Sequence, residues 1–297
     1  MEIHINPNTL TSLKDQVVLV TGSSSGIGHA TVQACLQHGA KVIAGDVNPP
    51  QEPYPSDAPI LFASTDVTDW ASIRSLFIAG HAQFGRIDHV FANAGIGPSG
   101  NFLEETFDEE GLLAPPVLRT VDINLIGVIN TLRLGVHYLK KGEAAAAAGG
   151  AGSRSVVLTA SASSFQNFPA TDYTTAKHGV LGIMRGLEDT LRDSGVRLNA
   201  IAPSWTATGL VPKSLIESLG SAVQEPEAVA DGVLLLFAEE RHGELMYIWD
   251  SKYYEINKVK GGLLDSAVGL LPLPVKEDEI AKRLDQARAV AAEVSSS

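Results

Sequence analysis

The sequence predicts an α/β fold built on a doubly wound parallel sheet. Three observations carry that prediction. Short apolar runs alternate with longer stretches of helical periodicity along most of the chain, the β-α-β-α rhythm of a parallel sheet with helices on both faces. Apolar residues make up 44% of 297 residues and charged residues 19%, which is enough to bury a large core. The residues able to do chemistry fall at the carboxyl end of a strand candidate or in the helix after it, where ligands lie in such folds.

The elements follow in order. Val17 to Thr21 reads as a strand and Ile27 to His38 as a helix stopped by Gly39. Lys41 to Asp46 is the second strand. A connection with five prolines, Asn48 to Pro59, leads to a third strand, Ile60 to Thr65. Asp69 is a natural N-cap for a helix running to Phe84. Ile87 to Ala92 is the fourth strand, Val117 to Leu139 a long helix and Ser155 to Ala160 the fifth strand. Tyr173 to Asp193 is helical, Val196 to Ala202 the sixth strand, Glu227 to Glu239 a helix and Glu244 to Ile248 the seventh strand. Right-handed crossovers wind this order both ways from the first strand.

Three segments break the pattern. Leu103 to Pro116 holds five acidic residues and Pro115-Pro116; it reads as a solvated loop or as a wall of the substrate site. Lys140 to Gly152 is rich in Ala and Gly and reads as a surface loop. After Gly261 come Pro272 and Pro274, then a helical face with Ile280, Leu284 and Ala287. The expected organisation is one domain over residues 1–260 with a partly helical tail over 261–297.

The chain carries a formal charge of −12, which argues against nucleic acid and anionic membranes as partners, since both recruit Lys and Arg. The single cysteine, Cys35, excludes an intramolecular disulfide and suits a reducing compartment; it reads as a small buried apolar residue. No signal peptide and no run of about 20 apolar residues is evident. A cytoplasmic protein is expected. The eight histidines show no zinc spacing, so no metal is expected.

The first strand runs into Thr21-Gly22-Ser23-Ser24-Ser25-Gly26-Ile27-Gly28. Glycines there permit a tight turn and close approach to a pyrophosphate, and the helix start offers free N–H groups. Gly22, Ser24, Ser25, Gly26, Ile27 and Gly28 are therefore cofactor candidates. Asp46 ends the second strand 18 residues after Gly28. Its carboxylate can accept from adenosine ribose hydroxyls and would repel a 2′-phosphate, so NAD is favoured over NADP.

Tyr173 and Lys177 lie four apart at a helix start, on one face. A phenol is a poor base near neutrality, but an adjacent ammonium lowers its pKa. The pair could take a proton from an alcohol or return one to a ketone.

With these residues the sequence resembles the short-chain dehydrogenase/reductase family over roughly residues 14–256. The matching motifs are the Gly22–Gly28 loop, Asp66-Val67, Asn93-Ala94-Gly95, Asn124, Ser161, Tyr173-Thr174-Thr175-Ala176-Lys177 and Asn199-Ala200-Ile201-Ala202-Pro203. The resemblance implies a Rossmann-type fold and an oxidoreductase acting on a small molecule. It makes Tyr173 the acid–base, with Lys177 lowering its pKa and holding the nicotinamide ribose. Ser161 orients the substrate oxygen and Asn124 keeps a water in a proton relay. Asp66 and Val67 meet the adenine, Asn93 and Gly95 line the cofactor, and Pro203, Thr206 and Thr208 sit by the nicotinamide carboxamide. It further implies a homodimer or homotetramer through the two long helices.

Some positions depart from the family pattern. Ala92 replaces an Asn and Ser204 replaces a Gly. Tyr173 follows Ser161 by 12 residues, one fewer than the family's usual interval, and Ser163 and Ser164 lie nearby. Trp205 either walls the substrate pocket or packs. Asp46, the Tyr173–Gly182 stretch and Lys252–Ile256 are most similar to the 15-hydroxyprostaglandin dehydrogenase and fungal hydroxyaverantin dehydrogenase types. A bulky secondary alcohol, such as a secondary metabolite, is the expected substrate. A non-redox isomerase or cyclase, an NADPH ketoreductase and a binding protein with a relict site are the competing expectations.

Overall fold

The computed structural model describes residues 2–50, 52–141, 154–218 and 220–270. Among them the strands are β1 (Glu2–Ile3), β2 (Val17–Thr21), β3 (Lys41–Asp46), β4 (Ile60–Ser64), β5 (His89–Ala92), β6 (Ser155–Thr159), β7 (Arg197–Pro203), β8 (Leu245–Trp249) and β9 (Lys252–Glu255). They form one sheet in the order β1-β9-β8-β7-β6-β5-β2-β3-β4. From β2 the chain winds outward to β3 and β4, then returns to place β5, β6, β7 and β8 on the other side. The order therefore reverses between β2 and β5, and the crevice beyond their carboxyl ends is the expected ligand position.

The central strands are apolar because both faces are covered. β2, β5 and β6 are buried throughout, and each buried Val or Leu adds about 1.5–3 kcal/mol. Alternate residues serve opposite layers. Val18, Val20, Val42, Ala44 and Phe91 share a core with residues of α1 (Gly26–Gln37) and of α7 (Pro226–Ala238), which follows the short α6 (Lys213–Ser218). Ile43 instead meets Gly80 of α2 (Trp70–Phe84), and Val90 meets Gly135 of α4 (Gly127–Lys141). Cys35 is buried in the first of these cores, and burial pushes its thiol up to about 12.

Local signals set most boundaries. Asp69 caps α2 by accepting from Ala71 N, and Gly85 closes it at φ 77°. Gly39, also at φ 77°, follows α1. One expectation is corrected: the long helix is not continuous from Val117, since α3 (Arg119–Val121) passes through a π-helical segment, Asp122–Ile126, before α4. The seven expected strands, β2–β8, pair in parallel, and two further strands add to one edge, β9 antiparallel to β8 and to β1. The hairpin turn uses Asp250 and Ser251, both at positive φ (51° and 56°), which matches the twist of paired strands.

Residues 1–256 form one compact unit and 257–297 a second. In the second, the described residues include α8 (Leu263–Gly269). The Ala/Gly-rich segment from 142 and the helical face at 280–287 lie outside the described residues. No helix among the described residues is long and apolar enough to cross a membrane.

Candidate active site

The phosphate loop is held by its neighbours before any ligand arrives. Asn93, just past β5, donates from Nδ2 to Thr21 O at 3.1 Å and Gly22 O at 3.2 Å, and accepts from Thr159 Oγ1 at 3.3 Å. One side chain thus clips together the carboxyl ends of β2, β5 and β6. Gly22 has φ 67° and Gly26 φ 51°. A Cβ on Gly28 would lie 1.9 Å from Gly22 O, so only glycine admits this approach of loop to helix. Ser25 precedes α1 but makes no side-chain cap bond. The first-turn amides of α1 therefore keep their donors and the positive end of the helix dipole for an anion.

Asp46 stands at the end of β3 beside this loop. Its Oδ2 accepts from Ser24 N at 3.0 Å and its Oδ1 from Asn48 N at 2.9 Å, while Ser24 Oγ donates to Asn48 O at 2.6 Å. Each carboxylate oxygen keeps a lone pair for a further donor. Asp66 is exposed and accepts from Thr68 N and Thr68 Oγ1 at 2.8 and 2.7 Å. The Thr68 hydroxyl and amide hold its carboxyl below the ordinary value. Val67 is buried against Gly127, and its carbonyl accepts from Asn130.

Tyr173 and Lys177 lie in the first turns of α5 (Thr171–Asp193). The Lys177 ammonium is buried, donates to Thr159 O at 2.7 Å and stands 5.6 Å from the centre of the Tyr173 ring. Burial lowers its pKa to about 8. Burial raises the Tyr173 phenol, and a hydrogen bond with the Ser161 side chain opposes that rise. Among the three nearby serines, Ser164 donates to Lys177 O at 2.7 Å and Ser163 Oγ is buried without a partner. Ser161 is the one whose side chain acts on the Tyr173 phenol, opposing its rise. His178 bonds Thr174 O on the exposed face of the helix.

A cavity of about 230 Å³ opens over this group, lined among others by Ser161, Phe168, Tyr173, Trp205 and Leu210. Phe168 meets Tyr173 and Trp205 edge-on, at 6.3 and 6.2 Å. Trp205 is thus a wall residue. Leu103–Leu113 lies outside the cavity lining, much of it exposed; Gly97 and Pro98 form that side instead. Pro203, Ile27, Thr206 and Thr208 border the same space. Thr206 Oγ1 donates to Ser204 O and accepts from the buried Gln224. Thr208 lies across the groove near Gly26, where an added Cβ would meet its methyl at 3.1 Å.

Asn124 is buried inside the π-helical segment. Its Oδ1 accepts from Ile96 N and its Nδ2 donates to Ile96 O, both at 2.8 Å. Gly95 faces the same amide: a Cβ added there would lie 3.1 Å from Asn124 Oδ1. Asp172, absent from the expectations drawn from the sequence, is a buried carboxylate bonded to the Ser99, Gly100 and Tyr173 backbone amides. An acidic residue in a first helical turn ordinarily signals only an exposed cap, so nothing local marks its burial. Among the described residues no cluster of three or more His, Cys, Asp or Glu could hold a metal.

The chain is similar to known proteins in this same region. The family model for short chain dehydrogenases matches residues 16–217. Short-chain dehydrogenase/reductase ascJ of Acremonium egyptiacum is 41% identical over 260 residues, 86% of this chain and 86% of that protein. The NAD(+) 15-hydroxyprostaglandin dehydrogenase of Rattus norvegicus is 29% identical, over 80% of this chain and 92% of its own. The crystal structure of carveol dehydrogenase from Mycobacterium avium in complex with NAD aligns at TM-score 0.65 and 25% identity, covering 80% of this chain and 97% of that one. With the doubly wound sheet and the glycine loop at its switch point, these matches place the chain in the short-chain dehydrogenase/reductase family of oxidoreductases.

Proposed function

We propose that the protein is an NAD-dependent oxidoreductase that interconverts a secondary alcohol and a ketone on a bulky, largely apolar small molecule. The observation that carries this reading is the Ser161–Tyr173–Lys177 group beneath an aromatic-walled cavity, at the carboxyl end of β6 and beside the Gly22–Gly28 loop.

The loop and the uncapped start of α1 suit a pyrophosphate, and Asp46 has acceptor capacity for ribose hydroxyls. Asp66, Val67, Asn93, Gly95, Pro203, Thr206 and Thr208 complete the proposed cofactor surface. Bound there, the nicotinamide supplies or accepts the hydride. Ser161 donates to the substrate oxygen and holds it near the phenol. In oxidation Tyr173 removes the hydroxyl proton; in reduction it returns that proton to the oxygen. The Lys177 ammonium favours the phenolate form of Tyr173 when oxidation demands it. Asn124 anchors the segment beside them and has the role of water holder in the proton relay. The cytoplasm as location, and a homodimer or homotetramer as the assembly, belong to the same proposal.

The test is cofactor titration followed by turnover. NAD(H) should bind more tightly than NADP(H). Tyr173→Phe should cut turnover of secondary alcohols by about 10²–10⁴ and leave NAD(H) affinity within about twofold, since the phenol is absent from the phosphate site. Preference for NADP(H) would overturn the role given to Asp46. Product formation without a change in nicotinamide absorbance would overturn the redox reading.

A further inference from the structure

Asp172 precedes Tyr173, and its side chain is 0% exposed. A buried carboxylate is costly unless its lone pairs are filled. Here Oδ2 accepts from Ser99 N at 2.8 Å, Gly100 N at 3.1 Å and Ser99 Oγ at 3.4 Å, and Oδ1 accepts from Tyr173 N at 2.7 Å. Ser99 Oγ also lies 2.7 Å from Thr120 Oγ1, which donates to Gly97 O at 3.2 Å. Farther back, Asn124 holds Ile96 through both backbone groups.

The segment held in this way, residues 96–100, has no strand or helix of its own. Gly97 and Pro98 line the cavity that Ser161 and Tyr173 also line. We propose that Asp172 is a positioning residue. It ties the cavity wall at Gly97–Gly100 to the helical turn that carries Tyr173, and so fixes the space a substrate has above the phenol. This inference rests on the redox reading above. Its effect falls on substrate fit more than on proton transfer. Tyr173 is placed by α5 as well, through bonds such as Thr174 N to Ala170 O at 2.8 Å, whereas the far end of the wall, at Ser99 and Gly100, is held by Asp172.

The test compares Asp172→Asn and Thr120→Val with the wild type. The amide of Asp172→Asn keeps the size but turns one acceptor oxygen into a donor. Thr120→Val severs the Gly97 and Ser99 links and keeps the carboxylate. Kinetics use saturating NAD with cyclohexanol, 1-indanol and 1-phenylethanol as probes, alongside amide hydrogen exchange of peptides covering 96–101. Asp172→Asn should raise KM about tenfold, the loss of one charge-assisted hydrogen bond. Its kcat should stay within about threefold, as expected when a loss falls on uniform binding. Exchange at 96–101 should quicken. Thr120→Val should do the same to a smaller extent; if Asp172→Asn does not fold, Asp172→Glu, which keeps the charge but displaces its oxygens, takes its place with the same expected and overturning outcomes. An unchanged KM, a fall in kcat at constant KM, or unchanged exchange would each overturn the role of Asp172. A wild type that turns over no probe with either nicotinamide counts against the redox reading instead, and the exchange measurement still judges the wall.

Discussion

Burial drives Tyr173 and Lys177 toward their neutral forms from opposite sides. The phenol is raised, with the Ser161 hydrogen bond opposing, and the ammonium is lowered to about 8. A protonated phenol is ready to donate to a ketone at neutral pH, but as a base it must first ionise. The kcat/KM for alcohol oxidation should therefore climb about tenfold per pH unit up to about pH 8, where Lys177 starts to lose the charge that favours the phenolate, and more slowly above it. Reduction should stay level near neutrality and fall only at alkaline pH. A pH profile in both directions checks this. Lys177 has a consequence for stability as well. Between about pH 8 and pH 10.5 the unfolded chain binds a proton that the folded chain does not, so stability rises with pH across that window. Below about 8 the buried charge carries its full cost. Lys177→Met should raise stability at pH 7 by about 1–3 kcal/mol, once the lost bond to Thr159 O is set against the relieved desolvation. It should abolish turnover, and its thermal advantage should shrink toward pH 10.

At the scale of the element, the π-helical segment Asp122–Ile126 is the feature with the clearest local cause. A widened turn inserts an extra residue and re-aims the side chains around it. Here it accompanies Asn124 pointing inward onto both backbone groups of Ile96. Asn124→Ala would leave the part-buried Ile96 N–H and C=O without their partner. It should destabilise the protein by about 2–4 kcal/mol, read as a shift in the denaturation midpoint at unchanged slope. The start of α1 is equally constrained. Gly28→Ala would drive a methyl into Gly22 O, and the loop must open to relieve it. NAD(H) affinity should fall by at least about tenfold, because the loop's amides no longer converge on one anion; calorimetry checks this.

At the scale of the molecule, the fold concentrates unlike groups at one crevice. Reversal of strand order between β2 and β5 opens the crevice, and Asn93 closes its floor across three strands. The outer side of the long helix shows exposed Ile126 and Ile129, and Gly182 and Gly186 of α5 have open space above them. A partner subunit packed there would bury apolar surface. Sedimentation should show a dimer or tetramer, and Ile129→Glu should reduce the mass by about half or more while the far-ultraviolet circular dichroism stays unchanged. Much of this was legible beforehand. β2 and β3 match the apolar runs residue for residue, because a doubly covered strand must be apolar and a glycine or aspartate must end it. Asp69 announced α2, because a cap bond is local. The glycine loop and the Tyr173/Lys177 pair were visible because their chemistry demands fixed short spacings. Other features depend on partners distant in sequence. The π-helical segment rests on Ile96, 28 residues before Asn124. β9 is a strand because β8 and β1 flank it. Asp172 is buried only because the Ser99–Gly100 backbone, more than 70 residues earlier, arrives with two free amides. By itself the sequence determined the seven parallel strands β2–β8, most of the helices between them and the residue types of the site, since periodicity, capping and motif spacing are short-range. Only the tertiary structure decided which serine meets the phenol, which backbone walls the cavity and which carboxylate holds it, since those depend on hydrogen bonds between segments that the sheet brings together.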